Sequence, residues 1–289
     1  MSRQILDHGG SEAITTRNGM VDHLDGLVEN LNSELDPFEK SPVNGRIYPA
    51  SSINYTQDSG HVQTASSPAY WGGLWSLACC KHDMRQEHFF DYFEEIEPGV
   101  LRPTQPLFIF TSAGKGGSEK PEWAESKHRW LVNIALVTHA FRDMEDYGRF
   151  LLDQEESVWN PRISTDPADN SEWARKYGDC HALVNDGEVI GTDSPYPEHD
   201  HVSSSGTSSC GCSETVNREY DHVYHEDLDP DRLKFVSTSE YWVSWNAPAF
   251  YWTVGNGPDR FGGGQGTLAY DDDPSIGTDT IIDSLQEAF

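Results

Sequence analysis

The sequence predicts a mixed α+β fold, with a bent, mostly antiparallel sheet or pseudo-barrel and peripheral helices. Three observations carry this. Apolar runs of strand length outnumber segments with helical spacing. The two kinds do not alternate regularly, as a parallel βαβ fold would require. No internal repeat is visible in the 289 residues. The expected organisation is a helical N-terminal extension over residues 1–45, one α+β domain over residues 46–262 with acidic insertions, and a C-terminal tail over residues 263–289.

The elements follow from local pattern. Val21, Leu24, Leu27, Val28 and Leu31 recur at three and four residues, which predicts an amphipathic helix over 20–35, ended by Asp36-Pro37. It is expected to pack on the main domain. Ile53 and Tyr55 mark a strand over 52–57, and Asp58-Ser59-Gly60 a turn. Residues 74–80 read as a buried segment. Residues 84–93 read as a short helix with Phe89, Phe90 and Phe93 on its inner face. The runs LFIFT at 107–111 and WLVNIALV at 130–137 are the strongest strands, forming a hairpin-like pair with a long loop between them. A helix is predicted over 141–152, from Phe141, Met144, Tyr147 and Leu151. A short hairpin is predicted over 178–190, turning at Asn185-Asp186-Gly187. Residues 193–218, rich in Ser, Gly, Asp and His, read as a loop insertion. A further strand is expected over 233–238, followed by an aromatic-rich stretch over 241–252.

Charge narrows the function classes. There are 48 acidic and 20 basic residues, a net charge of −28, and only seven of the bases are lysine. The acids are spread along the whole chain. That is the composition of proteins that stay hydrated in concentrated salt, where the Debye length is about 3 Å. In dilute buffer such a charge opposes a polyanionic partner, whereas in molar salt the repulsion is screened and a local basic patch can still act. No apolar run approaches a membrane span, and no basic start leads into a signal-like apolar run. Five cysteines, two of them adjacent, do not form a secreted disulfide pattern. The expectation is a cytoplasmic protein with no membrane partner.

Against that acidic background, residues 71–85 (WGGLWSLACCKHDMR) are distinctive. An apolar, aromatic run is followed at once by Lys81, His82 and Arg85, a local group of cations able to hold a phosphate or carboxylate by charge-assisted hydrogen bonds. Tyr70, Trp71, Trp75, Tyr241, Trp242 and Trp245 can supply a stacking wall for a base. The loop TSAGKGG at 111–117 lacks Walker spacing and reads as a hairpin loop in which Ser112 and Lys115 can face a ligand. Cys180, His181, His199, His201, Cys210, Cys212, His222 and His225 are suitable metal ligands by type but not by spacing, so no metal is assigned and no cofactor is named. There is no GxSxG elbow and no GxGxxG after a strand.

The order of motifs resembles the nucleotide modification associated domain 2 family over residues 52–250. The motifs are Asp58-Ser59-Gly60 after a strand, then Ser76-Leu77-Ala78-Cys79-Cys80-Lys81-His82-Asp83-Met84-Arg85. Two strands and a Phe-x-x-Tyr-type helix follow, then Gly178-Asp179-Cys180-His181-Ala182, and last Tyr241-Trp242-Val243-Ser244-Trp245-Asn246-Ala247-Pro248. The sequence departs from the family where Lys-Pro becomes Lys81-His82, where Asn-Ile-Tyr becomes Cys180-His181-Ala182, and where a final Gly becomes Ser244. The strand, turn, strand, helix unit at 107–150 also looks like domains of the PUA-like class.

The resemblance implies a protein that binds a nucleotide or nucleic-acid base in connection with nucleotide or DNA-base modification. In that reading Lys81 and Arg85 hold phosphate or a carbonyl oxygen, and Tyr241 and Trp245 stack on the base. Asp58 and Asp179 accept from base amino groups, or act as general base if there is catalysis. Two alternatives stand beside it. One is an enzyme acting on a nucleotide or base, metal-assisted through Cys180, His181 and the 199–212 loop. The other is a non-catalytic structural or interaction protein whose acidic surface reflects salt adaptation alone.

Overall fold

The two most apolar runs of the chain lie at the centre of a sheet. Leu107–Ala113 and His128–Leu136 are buried at every position, as strands covered on both faces must be, and they pair antiparallel. The computed structural model describes residues 3–4, 14, 16–34, 44–50, 53–58, 60–63, 68–71, 73–78, 85, 92–113, 122, 124, 128–154, 163–164, 182–185, 188–189, 231–253, 282–283 and 285–288. Among these, strands dominate and there are two helices.

In chain order the elements begin with β1 (Arg3–Gln4), α1 (Arg17–Glu34), β2 (Asn44–Ala50), β3 (Ile53–Thr56), β4 (Gly60–Gln63), β5 (Ala69–Trp71) and β6 (Leu74–Leu77). Next come β7 (Phe93–Glu97), β8 (Val100–Pro103), β9 (Leu107–Ala113), β10 (His128–Leu136), β11 (His139–Phe141) and α2 (Met144–Leu152). The last are β12 (Ile163–Ser164), β13 (Ala182–Asn185), β14 (Glu188–Val189), β15 (Lys234–Ser237), β16 (Trp242–Ser244), β17 (Phe250–Thr253) and β18 (Gln286–Glu287). The chain forms two compact units, each assembled from separated stretches. The first comprises residues 64–102 and 139–236, the second residues 2–63, 103–138 and 237–289.

The second unit is built on the sheet β18-β17-β10-β9-β2, with β16 pairing the far half of β10. Described pairs are antiparallel except β2 with β9 and β12 with β13. Helix α1 covers one face of this sheet. Its N-terminus is held by Thr16, whose hydroxyl accepts from Gly19 N at 3.1 Å. The expected helical stripe is real: Met20, Leu24, Leu27 and Leu31 are buried with Ile47, Phe108, Phe110, Ile134, Leu136 and Val243 in one core cluster. Fully burying a Met or Leu side chain contributes about 1.5–3 kcal/mol. Ile282 and Leu285, from the end of the chain, join the same cluster. A small sheet, β1-β4-β3, completes the unit.

The first unit carries the sheet β5-β6-β15-β11-β8-β7, helix α2 and the small sheet β12-β13-β14. Here two expectations are corrected. Phe93, expected at the end of a helix over 84–93, of which residues 84 and 86–91 lie outside the described residues, opens β7, a strand with one buried and four exposed positions. The Pro98-Gly99 dipeptide turns it into β8, with Gly99 at φ 78°, a conformation glycine adopts without strain. Phe93 instead stacks on Phe235 at 5.7 Å. Phe141 likewise belongs to β11, and α2 begins only at Met144, where Asp143 caps it by accepting from Asp146 N at 2.8 Å. Within the hairpin expected over 178–190, β13 and β14 pair antiparallel, with Asn185 opposite Glu188; its turn residues Asp186 and Gly187 lie outside the described residues.

The sheets are open. Both β2 and β18 are terminal strands of one, and β5 and β7 of the other, so the described residues form no closed or pseudo-barrel. No described helix is long and apolar enough to cross a membrane. Because α1 supplies a full side of the core, Leu24→Ala is expected to destabilise the protein by about 2–5 kcal/mol in urea unfolding. A change within the range of a surface substitution would show that the helix is only appended to the fold.

Candidate functional site

The face of the β9–β10 sheet turned away from α1 is built differently from the core. Side chains in register across a sheet share a face, so the ladder itself shows which residues meet. Tyr48 opposes Thr111, Thr111 opposes Asn133, and Asn133 opposes Ser244. These four form a polar row across β2, β9, β10 and β16. The next row on that face, about 7 Å along the strands, runs Arg46, Ile109, Ala135 and Trp242. No residue of either row is more than 3% exposed.

A register shift creates the row. Leu131 opposes Ser112, yet Asn133 opposes Thr111, so β10 advances two residues while β9 advances one. The extra residue is Val132, whose carbonyl accepts from Trp245 N at 2.9 Å. With unbroken alternation Asn133 would share the helix-side face with Leu131, a member of the apolar cluster. The bulge sends it to the opposite face. There both its Nδ2 and its Oδ1 are buried without a hydrogen-bond partner, as is Thr111 Oγ1. Buried polar atoms nearly always find a partner, and leaving one unmade costs about 1–3 kcal/mol. A carboxamide and a hydroxyl side by side offer a donor, an acceptor and a group that can be either.

A second buried feature belongs to the β3–β4 hairpin. Gly60 has φ 70°, and a Cβ there would lie 2.4 Å from the Asn246 carbonyl oxygen. This close approach lets His61 N donate to Asn246 O at 2.8 Å. His61 is fully buried, and its Nδ1 lies 2.6 Å from Trp245 O. Burial pushes the imidazole down to about 4, only partly offset by that carbonyl. The ring is therefore neutral at neutral pH. Nδ1 carries the proton and donates to Trp245 O, and Nε2 keeps a lone pair with no partner.

The residues expected from sequence fall as follows. Tyr241 and Trp245 are in the apolar cluster with α1, each 4% exposed, and Trp245 meets Phe250 edge-on at 5.8 Å. Strand alternation puts them on the core face and leaves Trp242 as the β16 aromatic beside the polar row. Ser112 is buried on the helix-side face, one step out of phase with Thr111, its hydroxyl also unpartnered. Asp58 is exposed at the β3–β4 turn. The guanidinium of Arg85 is buried in the first unit and donates to Leu233 O at 3.0 Å, while Leu233 N donates to Arg85 O at 2.9 Å. That double tie to the start of β15 gives it a structural task. Lys81, Lys115, Cys79, Cys80, Asp179 and the Cys and His residues from 180 to 225 lie outside the described residues. Among the described residues no group of three His, Cys, Asp or Glu side chains is arranged to hold a metal ion.

In comparisons with family models, with curated proteins and with solved structures, nothing matches the chain.

Sequence reasoning missed Thr111, Asn133, Ser244, Tyr48 and His61. A single Asn inside WLVNIALV was the available signal, since an amide in a fully apolar strand demands a reason.

Two outcomes test this geometry. Asn133→Leu removes two buried unpartnered atoms and should stabilise the ligand-free protein, by about 1–2 kcal/mol in urea unfolding; a loss of stability would mean that the amide is satisfied in the folded state. For His61 the folded value lies below the usual 6.5, so as pH falls from 6.5 toward 4 the unfolded chain binds a proton that the folded one refuses. Stability should drop across that window by roughly 3 kcal/mol. His139, held down to about 4 by burial, adds to the fall. Unfolding midpoints over this range should slope less in His61→Gln than in the wild type, and equal slopes would rule out the assignment.

Proposed function

We propose that this protein binds a nucleobase on the buried polar face of the β9–β10 sheet, and that it serves nucleotide or nucleic-acid base modification. The observation that carries the reading is the unpartnered carboxamide of Asn133. A carboxamide presents one donor beside one acceptor in a plane, the complement of the donor–acceptor edge of a base. Thr111 adds a hydroxyl directly opposite, and Trp242 and Tyr48 offer aromatic surface on the same face. The motif order resembling nucleotide modification associated domain 2 supports the same class of ligand.

In this reading the base contacts pass from Tyr241 and Trp245, which the core uses, to Asn133, Thr111 and Trp242. Asp58 is exposed at the β3–β4 turn and is not part of the buried row.

The test is mass spectrometry of bases, nucleosides and nucleotides carried through purification at high salt, comparing wild type with Asn133→Leu. Enrichment of a base-containing compound on the wild type and its loss from the variant is the expected result. Equal recovery from both proteins would remove Asn133 from the site, and recovery of no such compound, with no binding on its addition, would end the reading.

A further inference from the structure

We infer that the ligand is a free nucleobase or nucleoside, taken up without neighbouring nucleotides and held by its base edge alone. This rests on the base-binding reading above and narrows it. Three observations carry the narrowing.

The first is enclosure. β9 and β10 are buried at all of their positions, and the polar row and its neighbour are at most 3% exposed. A strand of nucleic acid lying across a sheet needs an open face on which successive bases stack. This face is closed to solvent, so it cannot receive a run of stacked bases. The second is the chemistry of the row. Tyr48, Thr111, Asn133 and Ser244 are neutral, and Asn133 and Thr111 hold the unpartnered atoms, while Arg46 in the adjoining row donates to the backbone of its neighbour, Gly45 O, at 3.1 Å. Neutral donors and acceptors read a base edge; they do not neutralise a phosphate chain.

The third is charge, and it works in either solvent. In dilute buffer a net charge of −28 repels a polyanion. In concentrated salt the repulsion is screened, but the counterion release that drives phosphate binding is lost with it. Under both conditions the affinity has to come from contacts that salt does not weaken. The hydrogen bonds of a buried amide and hydroxyl are of that kind.

The experiment is titration calorimetry on the full chain, at low and at molar salt. The probes are the free nucleosides, their 5′-monophosphates, and short single- and double-stranded oligonucleotides of mixed sequence. We expect one nucleoside to bind with an affinity whose log–log dependence on salt is near zero, against a slope of about −0.9 for each phosphate neutralised on a duplex. Asn133→Leu should weaken that binding about ten- to a hundredfold, the range of a bidentate base contact. Thr111→Val, which keeps strand preference and volume, serves if the first variant does not fold, and should weaken it several-fold. Oligonucleotides binding more tightly than nucleosides, with a steep salt slope, would overturn this inference and leave the base-binding reading in place. Binding of no probe at all would overturn both. Nucleoside binding unchanged in the folded variants would overturn the assignment of the site.

Discussion

One extra residue in β10 sets what each face of the central sheet presents. A strand's side-chain period is two, so any insertion reverses every side chain beyond it. Before Val132, β10 contributes Leu131 to the helix-covered core. Beyond it, Ile134 and Leu136 take over that task and Asn133 turns the other way. The core stays apolar on both sides of the bulge, and the one amide of the strand is excluded from it. Trp245 N fixes the bulge by donating to Val132 O, so the exit of β16 and the irregularity of β10 support each other.

The same exit segment organises the β3–β4 hairpin. Trp245 O receives the His61 ring and Asn246 O the His61 amide, through an approach that only Gly60 permits. Within three residues, Ser244, Trp245 and Asn246 thus take part in the polar row, the apolar core and the anchoring of a neighbouring sheet. An interior with this many coupled neighbours tolerates little rearrangement. Unpartnered polar atoms held in such a frame are preorganised, and the ordering cost that a ligand would otherwise meet is already met by folding.

The acidic composition and the buried row have separate consequences. The acids act on solubility and long-range attraction, and they fall away in importance within a Debye length at high salt. The row acts at contact distance and is indifferent to salt. A binding site made of neutral groups is therefore compatible with an acidic surface in a way that a site made of cations is not. Arg85, which on sequence looked like such a cation, illustrates the difference: full burial and its bond to Leu233 O give it a backbone to hold.

Sequence alone determined the parts of this protein that depend on local pattern. The stripe of α1, the pairing of 107–111 with 130–137, the antiparallel pairing of β13 with β14 and the α+β class follow from apolar spacing and turn chemistry, which act over a few residues. It erred where local signals compete. Phe93 and Phe141 were assigned to helices although Pro98-Gly99 and the Asp143 cap favour strands there. For the candidate site, sequence supplied residue types, and the fold places Tyr241 and Trp245 in the apolar core. Whether Trp242 or Trp245 faces the row, and whether Thr111 or Ser112 stands beside Asn133, turns on single-residue register. Register is set by pairing between strands distant in sequence and by a bulge that no composition announces. Burial of Arg85, neutrality of His61 and the unpartnered amide of Asn133 are likewise properties of surroundings brought together by the fold, so only the tertiary structure decided them.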